Sequence, residues 1–320
     1  MTAVEPTGHL PAAEPTAPST TPALPSTPLE RRYRRLLLAY PRQYRATHGD
    51  ELLDVLLESA EPGRSIPALK EAWGLLVGGV RSRVAHQATG NVWVDGLHLA
   101  VTAVAAANLA ALLPYAGTLP VWTLLSALAL LAVLRGWVRP ALPLTLAVGV
   151  KAVAIASGEQ PFDVTLLPVH PSWLADQALF ADSSPFAVAA AYAVVLAGLV
   201  VLASVPRPAL RARSWWWFAA VLAAAWAGPA WMAEETSYPL GLPRMAVEAV
   251  AFGLAAAGCY LARDHRWALA CGIYLLAASG QLIIHVEQLT RQHLAYWGVL
   301  VLLAGWAAVA PFRHRRHCMD

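Results

Sequence analysis

The pattern of apolar and polar positions changes character once along the chain, near Val92. Before that point apolar residues recur at helical spacing between polar ones. After it they run in blocks long enough to cross the ~30 Å hydrocarbon core of a bilayer as helices. The chain before Thr27 has neither pattern, and its Pro, Thr, Ala and Ser content predicts a disordered tail over residues 1–28. Periodicity starts at Thr27, a good N-cap, with Pro28 suited to the first helical position and Glu30 completing a capping box. Leu29, Tyr33, Leu36, Leu37 and Tyr40 then share one face of a helix that Pro41 ends or bends. Leu52, Leu53, Leu56, Leu57 and Ala60 predict a second helix, closed by Pro62-Gly63. From about Ser65, a third helix carries Ile66, Leu69, Trp73, Leu76, Val80 and Val84 on one stripe. Three amphipathic helices this close in sequence predict a small bundle over residues 29–87.

The remainder predicts a transmembrane domain over 92–312 with about eight spans, near 93–115, 119–134, 139–157, 185–205, 214–233, 243–262, 266–285 and 294–311. The fold class is therefore all-α: a polytopic helical membrane protein with an N-terminal three-helix domain. Arg135 and Arg139, then Arg207, Arg211 and Arg213, then Arg263 and Arg266, fall in alternate connections, and Arg313, Arg315 and Arg316 lie in a basic tail over 313–320. The opposite connections hold Glu159, Asp163, Asp176, Asp182, Glu234 and Glu235. Cytoplasmic loops retain basic residues, so both termini are expected inside a cell membrane. The join between the third helix and the first span, residues 86–91, is too short to act as a loose tether.

Composition supports the bilayer as solvent: hydrophobic residues make up 58% of the chain and charged ones 13%, about half the share usual in a soluble domain. The net charge of +3 reflects arginines flanking spans, and direct nucleic-acid binding is not expected. Cys259, Cys271 and Cys318 are too few and too scattered for a disulfide framework. On the first helix Arg31, Arg32, Arg34 and Arg35 form a basic run that is a candidate cytoplasmic interaction surface. They either face an anionic partner or match Asp50, Glu51, Asp54 and Glu58 on the second helix.

Two ionisable residues fall inside predicted spans, Lys151 in the third and Glu248 in the sixth, where each costs ~2.5–3.5 kcal/mol at the bilayer centre. Both lie about five or six residues from the outer end of their span, roughly 8–9 Å deep at 1.5 Å per residue. Equal depth permits a buried ion pair. The alternative is that each reaches the interface separately or that Glu248 is protonated.

Catalytic signatures are missing. The chain holds no G-x-x-x-x-G-K-[ST] loop and no G-x-S-x-G elbow, and His285-Val286-Glu287 lacks the second histidine of a zinc protease helix. His314, His317 and Cys318 are metal-ligand types, but they sit among arginines in a short tail, where membrane anchoring accounts for them better. Trp215, Trp216 and Trp217 fit an interfacial aromatic belt. The long connection from Gly158 to Pro185 holds Ser172-Trp173-Leu174 with Gln177, Ala178 and Phe180, a spacing that permits a short interfacial helix covering the span ends. No catalytic residue, metal or cofactor is assigned.

The N-terminal helices carry Arg32-Tyr33-Arg34-Arg35-Leu36-Leu37, Tyr40-Pro41-Arg42-Gln43-Tyr44-Arg45, Gly49-Asp50-Glu51-Leu52-Leu53, Leu56-Leu57-Glu58, Pro62-Gly63-Arg64 and Gly78-Gly79-Val80-Arg81. Together these resemble the helix-turn-helix-associated α-helical signalling (HAAS) domain of actinobacterial membrane proteins, over about residues 29–85. The resemblance implies a cytoplasmic partner of the PadR-like transcriptional regulator type, and it brings no residue-level binding site. Two functional classes follow: a membrane signalling or regulatory protein, which leads, and a transporter or permease-like protein that the N-terminal domain regulates. A transporter predicts matching Gly/Pro-interrupted spans in two halves. Gly228-Pro229 and Pro140 with Pro143 interrupt spans without forming such a repeat. The lipid bilayer is the one partner common to both classes, and a homo-oligomer is compatible with either.

Overall fold

A computed structural model describes residues 27–61, 63–88, 90–160, 165–172, 177–181, 183–205, 210–228, 241–284 and 286–316. Residues 1–26 of the tail expected over 1–28 lie outside them, as do Trp173, Leu174, Asp176, His285, His317 and Cys318, while Thr27 and Pro28 belong to the start of the first helix. The described residues form α-helices joined by turns, in two compact units divided after Val80.

In the first unit, α1 (Pro28–Leu37) starts as expected, with Thr27 Oγ1 accepting the Glu30 N–H at 3.2 Å. The Glu30 carboxylate pairs with Arg34 at 2.9 Å. Pro41 opens α2 (Arg42–Glu58), and α3 (Leu69–Gln87) begins four residues later than Ser65. Pro67 accounts for the delay, since it disfavours a helical backbone at the residue before it and supplies no N–H; Ile66 is a bend. Leu29, Tyr33, Leu37, Tyr40, Leu53 and Leu75 make the core.

The apolar stripe of α3 is not in that core. Leu69 is 90% exposed and Trp73 68%, and Ile66, Leu76 and Val80 are exposed as well. The helix packs instead through Leu75 and the Gly78-Gly79 pair. A Cβ on Gly79 would stand 2.6 Å from Ala39 Cβ, and one on Gly78 would stand 2.5 Å from the Tyr40 hydroxyl. Only a backbone without Cβ atoms lets the end of α1 come this close, and that contact turns the large apolar residues outward.

The second unit holds α4 (Val92–Leu112), α5 (Pro120–Leu134), α6 (Val138–Ala156), α7 (Pro185–Ala203), α8 (Trp216–Trp226), α9 (Leu242–Ala262), α10 (Arg266–Ile284) and α11 (Arg291–Arg316). Six of these are long and apolar enough to cross a membrane. The other two predicted spans are shorter: α5 has 15 residues, about 22 Å of helix, and the described part of α8 has 11. By length and composition the chain is a multi-pass membrane protein.

Helix α4 is central and packs on α5, α7, α8 and α10; α6 lies against α5 and α7, and α9, α10 and α11 pack together. Val101, Val104, Val133, Val195 and Leu199 fill the main core. Leu124, Phe186, Val201, Leu254 and Leu302 point outward, giving the apolar exterior that lipid requires. At one end, the proximal end, where α3 leads into α4, the start of α10 and the chain ahead of α8 converge.

At the opposite end the connection before α7 covers the α4–α5 turn. Ser172 Oγ donates to the Pro114 carbonyl at 2.9 Å, and the Tyr115 and Thr118 hydroxyls donate to the carbonyls of Gln177 and His170. Ser172, Gln177, Ala178 and Phe180 are not helical, which corrects the expected interfacial helix for its described residues. The Ser172 N–H donates to the Pro114 carbonyl and the Gln177 carbonyl accepts from Tyr115, whereas the carbonyls of Ala178 and Phe180 accept from Ala181 and Ser183 in local turns.

Candidate functional site at the proximal helix ends

Four charged side chains meet at the proximal end. Asn91 caps α4, its Oδ1 accepting the N–H groups of Trp93 and Val94, and this places Asp95 in the first turn. Asp95 Oδ2 accepts from Arg266 at 2.5 Å, and Oδ1 accepts from Arg213 at 2.6 Å. The Arg213 guanidinium also donates to the Asp95 backbone carbonyl at 2.7 Å. Asp264, just ahead of α10, accepts the Arg266 N–H at 3.1 Å and the Arg266 side chain at 2.7 and 2.9 Å.

The quartet has two positive and two negative charges, so it is neutral as a whole. The Arg266 side chain is 2% exposed, and those of Asp264, Asp95 and Arg213 are 10%, 14% and 17% exposed. Charges withdrawn from water this far are tolerated only when paired and hydrogen-bonded. Gly96 sets the approach: a Cβ there would stand 3.0 Å from the Arg266 carbonyl and from Leu269 Cδ2. A larger residue would push α10 from α4 and separate Arg266 from Asp95.

Arg266 and Arg211 also hold the chain where α3 ends. Arg266 donates to the Ala88 carbonyl at 2.5 Å, and Arg211 donates to the His86 carbonyl at 3.3 Å. Arg266 thus binds the first turn of α4 and the segment that precedes it. His98, one turn deeper on α4, is 1% exposed and its Nε2 lies 2.7 Å from the Val133 carbonyl. Arg135 lies 4.9 Å over the Trp215 ring, so this tryptophan covers a guanidinium.

Nothing in the apolar pattern singles out Asp95, and by position alone Arg211, Arg213 and Arg266 mark only topology. The available signal was a lone carboxylate in the first turn of a span, facing alternate connections rich in arginine.

The structure does not bring Lys151 and Glu248 together, which corrects the ion-pair reading. Glu248 accepts from Arg244 on its own helix at 3.1 Å and from the Tyr274 hydroxyl at 2.9 Å, and the Tyr296 hydroxyl also donates to it. These contacts tie α9, α10 and α11 to one carboxylate. Lys151, on α6, is 1% exposed with its Nζ 5.8 Å from the Trp122 ring centroid. Equal depth was insufficient because α6 packs with α5 and α7, whereas α9 packs with α10 and α11.

Arg31, Arg32, Arg34 and Arg35 are all exposed. Among the described residues no ion pair joins them to the acidic residues of α2, because Arg34 turns to Glu30 and Arg32 donates to the Ser65 carbonyl at 3.2 Å. The charge match between the two helices is therefore not made. Among the described residues no three His, Cys, Asp or Glu side chains are grouped to hold a metal. No family model, curated protein or solved structure matches this chain.

Proposed function

We propose that this chain is a membrane signalling or regulatory protein in which the α1–α3 helices carry the state of the membrane helices to a cytoplasmic partner. The observation that carries the reading is the position of Arg266, which bonds both to Asp95 on α4 and to the Ala88 carbonyl at the end of α3. A shift of α10 against α4 cannot leave that segment undisturbed, because one guanidinium serves both. The HAAS resemblance supports a partner of the PadR-like regulator type, and the arginines in alternate connections support cytoplasmic termini and a place in the plasma membrane.

The test is transcriptional. A flexible Gly/Ser insert between Ala88 and Asn91 should abolish the response of the regulated promoter while the protein still reaches the membrane. Deletion of residues 28–88 that leaves transcription unchanged, together with failure of the full chain to capture a purified PadR-like regulator, would sink the reading. Orientation is tested separately in intact cells, with single cysteines and an impermeant thiol reagent. Position 158 should label and position 211 should not.

A further inference from the structure

The ridge on α3 that the core leaves out has its own chemistry. At about 100° per residue, Leu69, Trp73, Leu76, Val77 and Val80 fall within a sector about 100° wide and some 16 Å long, opposite Leu75 and Gly78. Lys70 and Arg81 border this sector on one side and Arg83 on the other. The sole acidic residue of α3, Glu71, turns inward, where its carboxylate accepts from the Tyr33 hydroxyl at 2.6 Å. Near the start of the ridge, Ile66 and Leu69 share a hollow with Arg32 and Arg35 of α1. The result is an apolar strip containing a tryptophan, bordered by cations, with the one acidic residue of α3 turned inward.

We propose that this ridge docks on the anionic surface of the bilayer that α4 enters, its apolar side chains in the acyl boundary and its cations among the headgroups. It rests on the exposed face of α3 and not on the Arg266 contacts. Charge complementarity selects the occupant: basic borders on both sides of an apolar strip suit a negatively charged lipid surface. Connectivity supplies the surface, because α3 ends at Gln87 and α4 begins at Val92, a reach of about 18 Å at most. A lipid surface is therefore always at high effective concentration for this helix.

The test uses the full chain in nanodiscs, with Cys259, Cys271 and Cys318 replaced by alanine and Val77→Cys carrying an environment-sensitive fluorophore. Doxyl-labelled lipid should quench the fluorophore in discs containing phosphatidylglycerol and much less in discs of phosphatidylcholine alone. The triple substitution Lys70→Gln, Arg81→Gln, Arg83→Gln should reduce quenching to the phosphatidylcholine level, the docking constant falling about fivefold for each cation removed. Quenching that is absent in both discs, or equal in both, overturns the proposal. Disulfide formation between the position-77 cysteines of two chains, without quenching, assigns the ridge to a second copy and also overturns it. The unsubstituted chain gives an independent measurement: amide exchange over residues 69–80 should slow in the anionic discs, and equal rates would count against docking.

Discussion

Asp95 and Arg266 lie 171 positions apart in the chain and meet at 2.5 Å between Oδ2 and the guanidinium, at the point where the first long helix of the membrane unit begins. The arginine is almost fully buried and its other nitrogens are engaged by Asp264 and the Ala88 carbonyl. Removing the carboxylate therefore strands a buried cation. Asp95→Asn should destabilise the detergent-solubilised protein by ~3–5 kcal/mol, and Arg266→Met by a similar amount. Thermal unfolding checks this, and a loss under ~1 kcal/mol for both would mean that the cluster is not a structural unit.

The approach of α10 to α4 depends on Gly96, whereas Gly253 on α9 has open space where a Cβ would go. Gly96→Ala should cost ~1–3 kcal/mol through overpacking. Gly253→Ala should be neutral, or stabilising by up to ~1 kcal/mol from helix propensity. Equal shifts in unfolding midpoint for the two variants would remove the close-approach argument.

Because Glu248 is held by Arg244, Tyr274 and Tyr296 rather than by Lys151, substitutions at the two positions should act independently. The losses from Lys151→Met and Glu248→Leu should add in the double variant to within ~0.5 kcal/mol. Recovery of stability in the double variant would restore the ion pair. Tyr296→Phe should lower stability by itself, since it takes one donor from a largely buried carboxylate.

In the first unit, burial and then the Glu71 hydrogen bond push the Tyr33 phenol up to about 12, and the donated Tyr33 hydrogen bond holds the Glu71 carboxyl below its ordinary range. The two shifts act at opposite ends of the pH scale. The Glu71 contribution is present above its unfolded value and lost as pH falls through the lower folded value. The Tyr33 contribution is present below about pH 10 and lost as pH rises through about 12. Tyr33→Phe should lower the unfolding midpoint at neutral pH by a few degrees and flatten both limbs, as followed by exchange of α1 and α3 amides across pH. Limbs that stay unchanged in this variant would place the pH dependence elsewhere.

Most of the helical segments could be read from the residues alone, because they depend on local period, capping and runs of apolar residues; the start of α3 and the connection before α7 could not. Thr27, Pro41 and the block that begins at Val92 mark boundaries close to those observed. What the sequence left undecided was direction around each helix axis. Trp73 and Leu69 carry more apolar surface than Gly78 and Gly79, yet the glycines are packed, because close backbone approach outweighs side-chain size at that contact. Arg213 and Arg266 read as markers of a membrane face, and only the packing of α10 and the α8 approach against α4 turned them toward Asp95. Lys151 and Glu248 had matching depths, which is one coordinate; which helices are neighbours is another, and it is set by long-range contacts that no local pattern encodes.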